Sequence, residues 1–336
     1  MGLHIVRYEK ENEAQWGVLS GEEVIPLTNT SRTLDAFLEE GPDEAKSLLA
    51  SEGNESFPVG DLKLLSPVTK PARIVCQGAN YSSHREESGL EAARPPFNMI
   101  FGKADSSLCG AYEDVIRPDG VKLLDYEIEL GLVLGAEVTE HSDINEDNLH
   151  EYVAGLVITN DISARDIQLP QGQWLKGKSY RTFCPTGPYL YLLDEDEMPL
   201  IHDLELDLWV NDDLRQSANT DQLLFKPAET LVELADIMDL SRGDLVMTGT
   251  TGGVAMNLTP ELLGKVTSLA VPGQDKIDMM VEDQEGNGRY LKDGDVIRCA
   301  IRSADGKIDL GEQQNRVVSQ SIASSTARSN GLNAAK

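Results

Sequence analysis

Residues 125–135, DYEIELGLVLG, limit what this chain can fold into more than any other stretch. Side chains on a strand alternate between faces, so Tyr126, Ile128, Leu130, Leu132 and Leu134 share one side while Glu127, Glu129, Gly131 and Val133 share the other. The two glutamates then point the same way, about 7 Å apart at a rise of ~3.4 Å per residue. The stretch holds no Lys or Arg to balance them. Carboxylates so placed either face water or, if half-buried, need a shared proton or a divalent cation to offset their repulsion.

Such a strand needs a large surface to rest on, and 336 residues suffice for one large domain or two unequal ones. Hydrophobic residues are 40% and charged ones 26%, a globular balance, and no apolar run is long enough for a bilayer span. No basic-then-apolar leader opens the sequence, so the expected location is the cytoplasm. A formal net charge of −28 repels phosphate, which argues against nucleic acid or an anionic membrane as partner. An anionic substrate would therefore need cations gathered at its site. Cys76, Cys109, Cys184 and Cys299 lie far apart, form no C-x-x-C pair and read as reduced, buried thiols.

Along the chain, residues 3–27 alternate like short strands around a Gly21 turn. The next stretch reads as two short helical pieces broken at Gly41-Pro42. RIVCQGANY is a strand entering a Gly78 turn, and Ser83 with Glu86 has the spacing of a capping box that would start a helical turn. His84 and Glu87, three apart, share a face of that turn; they form a solvated surface pair or a carboxylate-oriented general base. Pro95-Pro96 ends the segment, making 82–97 a candidate cover. YVAGLVIT is a buried strand whose end delivers Asp161, with Arg165, Gln168 and Lys178 following. LELDLWV pairs with the strand after Asn211-Asp212-Asp213, and PAETLVELADIMDL is a helix started by Pro227. TGTTGG after LVMT is a plain tight turn or a cradle of N–H groups and hydroxyls for a carboxylate. Residues 255–290 read as irregular, DVIRCAI as the last strand, and the chain from about Gln313 as disordered.

Taken together, GANYSSH with Glu87, DYEIELGLVLG, ITNDISARDIQ, GKSYRTFCPTGP and GDLVMTGT resemble, in this order, the signature segments of the fumarylacetoacetate hydrolase family. The resemblance implies an α+β fold whose main domain, residues 71–311, is a mixed β-sheet roll. A small N-terminal α/β domain over 1–70 and a flexible tail over 312–336 would flank it. It implies a metal, Mg²⁺ or Mn²⁺, held by Glu127, Glu129 and Asp161. His84 and Glu87 would activate water on a lid, Lys178 would stand beside the metal, and Arg165, Gln168 and Thr250 would hold the substrate's carboxylate and oxo groups. A homodimer and a place in aromatic catabolism are also implied. Against the family pattern, TGTTGG lacks a proline after its second Thr, Arg181 replaces a common acid, and residues 255–290 form a longer connection.

The expected substrate is a small anionic oxo acid. The leading expectation is hydrolysis of a C–C bond in a β-diketo acid of acylpyruvate, fumarylpyruvate or fumarylacetoacetate type, through a metal-bound enolate. The alternative keeps the site without the water attack: oxaloacetate decarboxylation or tautomerisation, or 2-oxo acid hydration or isomerisation. A non-catalytic metal-binding protein is the third reading.

Overall fold

In the computed structural model, which describes residues 2–324, the opening stretch becomes the strand Ile128–Leu134, and every residue of that strand is buried. Leu130, Leu132 and Leu134 join one apolar core with Ile158, Leu206 and Ile301. Val133 on the opposite face joins a second core with Val157, Leu245 and Met247. The strand thus lies between two cores, and each fully buried Leu contributes about 1.5–3 kcal/mol. Antiparallel neighbours flank it: Gly131 stands opposite Val157 of Val153–Asn160 and opposite Met247 of Leu245–Met247.

From this centre the sheet runs one way through Leu245–Met247 and its parallel neighbour Ile74–Gly78 to Met99–Lys103. The other way it passes Leu190–Leu192 and continues into Leu3–Lys10, Glu13–Ser20 and Glu23–Pro26. Among the described residues it has thirteen strands. A second sheet of five has the order Asp213–Asn219, Leu204–Val210, Val296–Ser303, Asp309–Ser319, Val115–Arg117, the last pair parallel. Both sheets are mixed and helices are interspersed among the strands along the chain, an α+β arrangement. The N-terminal strands share the main sheet with the strands that carry the acidic residues. No helix among the described residues is long and apolar enough to cross a membrane.

Four local expectations are corrected. Leu34–Leu49 is one helix running through Gly41-Pro42, because Phe37 on its buried face stacks on Trp16 at 4.3 Å and tertiary burial outweighs the one hydrogen bond proline removes. Ser83 forms no capping box at the start of Ser82–Glu87; its hydroxyl accepts from Gly252 N–H at 3.0 Å instead. Residues 255–290 carry two helices, Pro260–Thr267 and Gly273–Asp283, the first opened by Thr259 accepting from Leu262 N–H with proline in the first turn. Gln313 to Ser319 belong to the strand Asp309–Ser319, where alternate residues are buried. The rest of the expected flexible tail, from residue 325, lies outside the described residues.

Candidate functional site

Strand pairing creates the acidic cluster. Ile128 pairs with Asn160 and Glu129 with Thr159, and the Asp161 N–H donates to the Glu127 carbonyl at 2.8 Å. That register sets Asp161, just past its strand, beside the two glutamates. One carboxylate oxygen from each of Glu127, Glu129 and Asp161 lies within 4.8 Å of the others, and all three residues are buried.

Cations from three other elements converge on them. Lys178 ends the short helix Trp174–Lys178, and its Nζ bridges Glu127 Oε2 at 2.8 Å and Asp161 Oδ2 at 2.7 Å. The approach requires glycine at 177, since a Cβ there would lie 2.8 Å from the Gln168 backbone nitrogen. Arg165 donates through Nε to Asp125 at 2.9 Å and through Nη1 to Gln168 Oε1 at 2.9 Å. Its Nη2 stands 2.5 Å from Glu127 Oε1 as an ion contact without an aligned N–H bond. Lys103 closes the group from behind: its fully buried ammonium meets Asp161 Oδ1 at 2.5 Å, the Phe183 carbonyl at 2.9 Å and the Lys178 carbonyl.

The ionisable groups do not pair one to one. Asp125, Glu127, Glu129 and Asp161 face Lys103, Arg165 and Lys178, one more buried carboxyl group than there are basic side chains to pair with. Burial alone would raise the Glu127 pKa, but Lys178 and Arg165 outweigh it and hold this carboxyl far below the usual range. Glu129 goes the other way: burial, then Asp161 and Glu127, push its pKa well up. Its Oε2 accepts from Gly249 N–H at 2.8 Å, and no basic side chain among the described residues lies within ion-pair distance. Gly249 takes φ +92° there, and a Cβ would lie 2.8 Å from Asn80 Cβ. Three hard oxygen donors at mutual ligand distance, one of them lacking a counter-charge, fit a divalent cation of the Mg²⁺ or Mn²⁺ kind.

His84 lies on Ser82–Glu87, 6% exposed, and its Nδ1 has no hydrogen-bond partner. Burial first, opposed by Glu127 and aided by Arg165 and Lys178, lowers its pKa to about 4, so the ring is neutral near pH 7. Glu87 does not orient it. Both Glu87 oxygens instead accept from Gly253 N–H, at 2.9 and 2.8 Å, clasping the helix to the glycine-rich loop. Burial raises the Glu87 pKa while those backbone donors oppose the shift. Thr250 donates to the Ile128 carbonyl at 2.9 Å and accepts from Gln216 Nε2 at 2.8 Å. TGTTGG therefore does present N–H groups to carboxylates, and the carboxylates are the chain's own.

A cavity of about 490 Å³ opens over the cluster. His84, Glu127, Arg165, Gln168, Lys178 and Thr250 reach its wall; Glu129, Asp161 and Glu87 do not. Three further residues belong to the site. Asp125 accepts from Arg165 and from the Ala255 and Met256 N–H groups at 2.8 and 3.1 Å, and Gln216 ties Thr250 to the Ile128 N–H. Lys103 is the third. Strand alternation would have found Asp125, two residues before Glu127; Lys103 shows only as a lysine ending an apolar strand.

Residues 73–318 match the protein family described as fumarylacetoacetate (FAA) hydrolase, C-terminal. Oxaloacetate tautomerase Fahd2a, mitochondrial, of Rattus norvegicus is 32% identical over 291 residues, covering 85% of this chain and 80% of that protein. Oxaloacetate tautomerase FAHD2A, mitochondrial, of Homo sapiens is 31% identical over 292 residues, with coverage of 85% and 80%. Among solved structures, the fumarylacetoacetate hydrolase of psychrophilic Exiguobacterium antarcticum superposes with a TM-score of 0.73 at 28% identity, over 95% of this chain and 100% of that one. Maleylpyruvate hydrolase from Sphingobium sp. SYK-6, solved with manganese(II) and pyruvate, shares the fold at a TM-score of 0.68 and 23% identity, covering 94% and 99%.

Proposed function

The chain belongs to the fumarylacetoacetate hydrolase family, and from that premise we propose that it is a divalent-cation-dependent tautomerase of 2-oxo acids, moving a proton between the enol oxygen and C3. The observation that carries this reading is His84: a buried, neutral imidazole on the cavity wall whose Nδ1 has no hydrogen-bond partner and which no carboxylate orients by a hydrogen bond. Such a ring can take up and return a single proton, while water attack on a carbonyl calls for a base strengthened by an acid partner.

Glu127, Glu129 and Asp161 would hold the cation, Mg²⁺ or Mn²⁺. When bound, it polarises the 2-oxo group and offsets negative charge on that oxygen. The protein's own residues do the rest. Arg165, fixed by Asp125 and Gln168, lines the cavity, where a planar donor suits the substrate's carboxylate. Lys178 presents its ammonium at the oxygen where charge develops, and burial strengthens that interaction. His84 moves the proton at C3.

The second reading, C–C bond hydrolysis of a β-diketo acid, draws on the cavity, of which a four-carbon diacid fills only a fraction. It requires Glu87 to leave Gly253 and turn to His84. Mn²⁺-loaded protein should be given oxaloacetate, an acylpyruvate and fumarylpyruvate, following C3 solvent exchange by NMR and pyruvate release by a coupled assay. Exchange without pyruvate release is expected. Stoichiometric release from the diketo acids would establish the hydrolase instead, and neither signal would end both readings.

His84→Ala should lower the exchange rate on the order of 10²–10⁴-fold while Mn²⁺ still binds. The base works in its neutral form, so acid removes activity by protonating it. For the unaltered protein kcat/KM should stay level through pH 6.5 and fall only as pH approaches about 4. A midpoint near the ordinary histidine value would place the base elsewhere.

A further inference from the structure

We propose that the segment bearing the helices Pro260–Thr267 and Gly273–Asp283 is a specificity element, selecting 2-oxo acids whose far end is apolar over those ending in a second carboxylate. This rests on the inner end of the cavity being a 2-oxo acid site.

The cavity is divided by chemistry. Its deeply buried wall is polar, with Arg165, Lys178 and Thr250 each no more than 2% exposed. Towards solvent the wall becomes apolar. Phe101, whose ring centroid lies 5.4 Å from Lys178 Nζ, meets Trp174 edge to face with centroids 5.1 Å apart, and Leu263 and Leu269 carry the apolar lining outward to the mouth. Leu263 and Leu269 come from the 255–290 segment. Leu269 is 100% exposed, which leaves a large apolar side chain at the mouth with nothing of the chain covering it.

Cations decide the matter. Arg165 and Lys178 are the only ones on the cavity wall among the described residues, and both are engaged at the inner end by Asp125, Glu127 and Asp161. A second carboxylate would leave water for an apolar wall with no positive partner, a cost of several kcal/mol in general. An apolar tail gains by the same transfer.

The wall is also fixed in place. Val266 and Met280 are buried in the main core, the Leu258 N–H donates to the Glu87 carbonyl at 2.9 Å, and Gln284 Nε2 donates to the Asn257 carbonyl at 3.0 Å. A preformed apolar surface binds without an ordering cost.

The test uses two 2-oxo acids with the same head and different ends, 2-oxo-4-phenylbutanoate and 2-oxoglutarate. Neither is a β-diketo acid, so neither can be cleaved by hydrolysis during titration calorimetry on the Mn²⁺-loaded full chain. The phenyl compound should bind about tenfold tighter or more. Leu263→Lys should reduce or reverse that ratio. Leu269→Lys, at a side chain too exposed to matter for folding, should move it the same way. Equal affinities, tighter 2-oxoglutarate, failure of the phenyl compound to bind, or a ratio untouched by both variants would overturn the proposal. C3 exchange in the same samples separates it from the catalytic reading. Preference without exchange supports the apolar wall and removes the tautomerase; exchange without preference does the reverse.

Discussion

Glu127→Gln is expected to abolish Mn²⁺ binding and lower turnover on the order of 10²–10³-fold or more. This side chain is at once a cation ligand in the proposed site and the junction of two ion pairs, with Lys178 at 2.8 Å and Arg165 at 2.5 Å. An amide in its place weakens both contacts and leaves Arg165 to Asp125 and Lys178 to Asp161 alone, and breaking a buried ion pair costs about 3–5 kcal/mol. Thermal unfolding with and without Mn²⁺ reads both effects. The unaltered protein should gain stability from the ion, whereas the variant should start lower and gain nothing. A variant that still responds to Mn²⁺ would take Glu127 out of the ligand set.

The second large effect is expected where no substrate reaches. Lys103→Met removes a fully buried ammonium from Asp161 and from two backbone carbonyls, those of Lys178 and Phe183. Burial opposes the charge on Lys103, yet Asp161 outweighs it and raises its pKa, so the ammonium stays charged. Its loss should destabilise the metal-free protein by about 3–5 kcal/mol, seen as a lower urea midpoint. Pairing the change with Asp161→Asn gives a direct check. If the two groups act on each other, the double variant will lose less than the two single losses added together. Simple additivity would show that Lys103 acts only through the carbonyls.

The sequence disclosed the acidic cluster because its cause is local. Alternation sets Glu127 and Glu129 on one side, and a continuous apolar run ends at Asp161. Which cations answer those acids was partly hidden. Lys178 and Arg165 came with the family pattern, but Lys103 reaches Asp161 through the placement of Met99–Lys103 at one end of the main sheet, far from it in sequence. The His84–Glu87 spacing suggested a pair, and in the fold Gly253, 166 residues away, competes for the carboxylate and holds it. The same limit applies to Leu34–Leu49: Gly41-Pro42 is a valid stop signal locally, and Phe37 against Trp16 overrules it. In the 255–290 stretch Thr259-Pro260-Glu261 was a readable helix start among turn formers.

The first strand has one more effect. Leu3–Lys10 covers the open side of Leu190–Leu192, whose own partner is the strand Val153–Asn160 that leads to Asp161. A fragment lacking residues 1–70 would bare unpaired backbone groups flanked by Leu190, Tyr191 and Leu192, all buried in the whole chain. A raw edge of that kind recruits strands from other molecules, so the amino-terminal segment acts as a shield against aggregation.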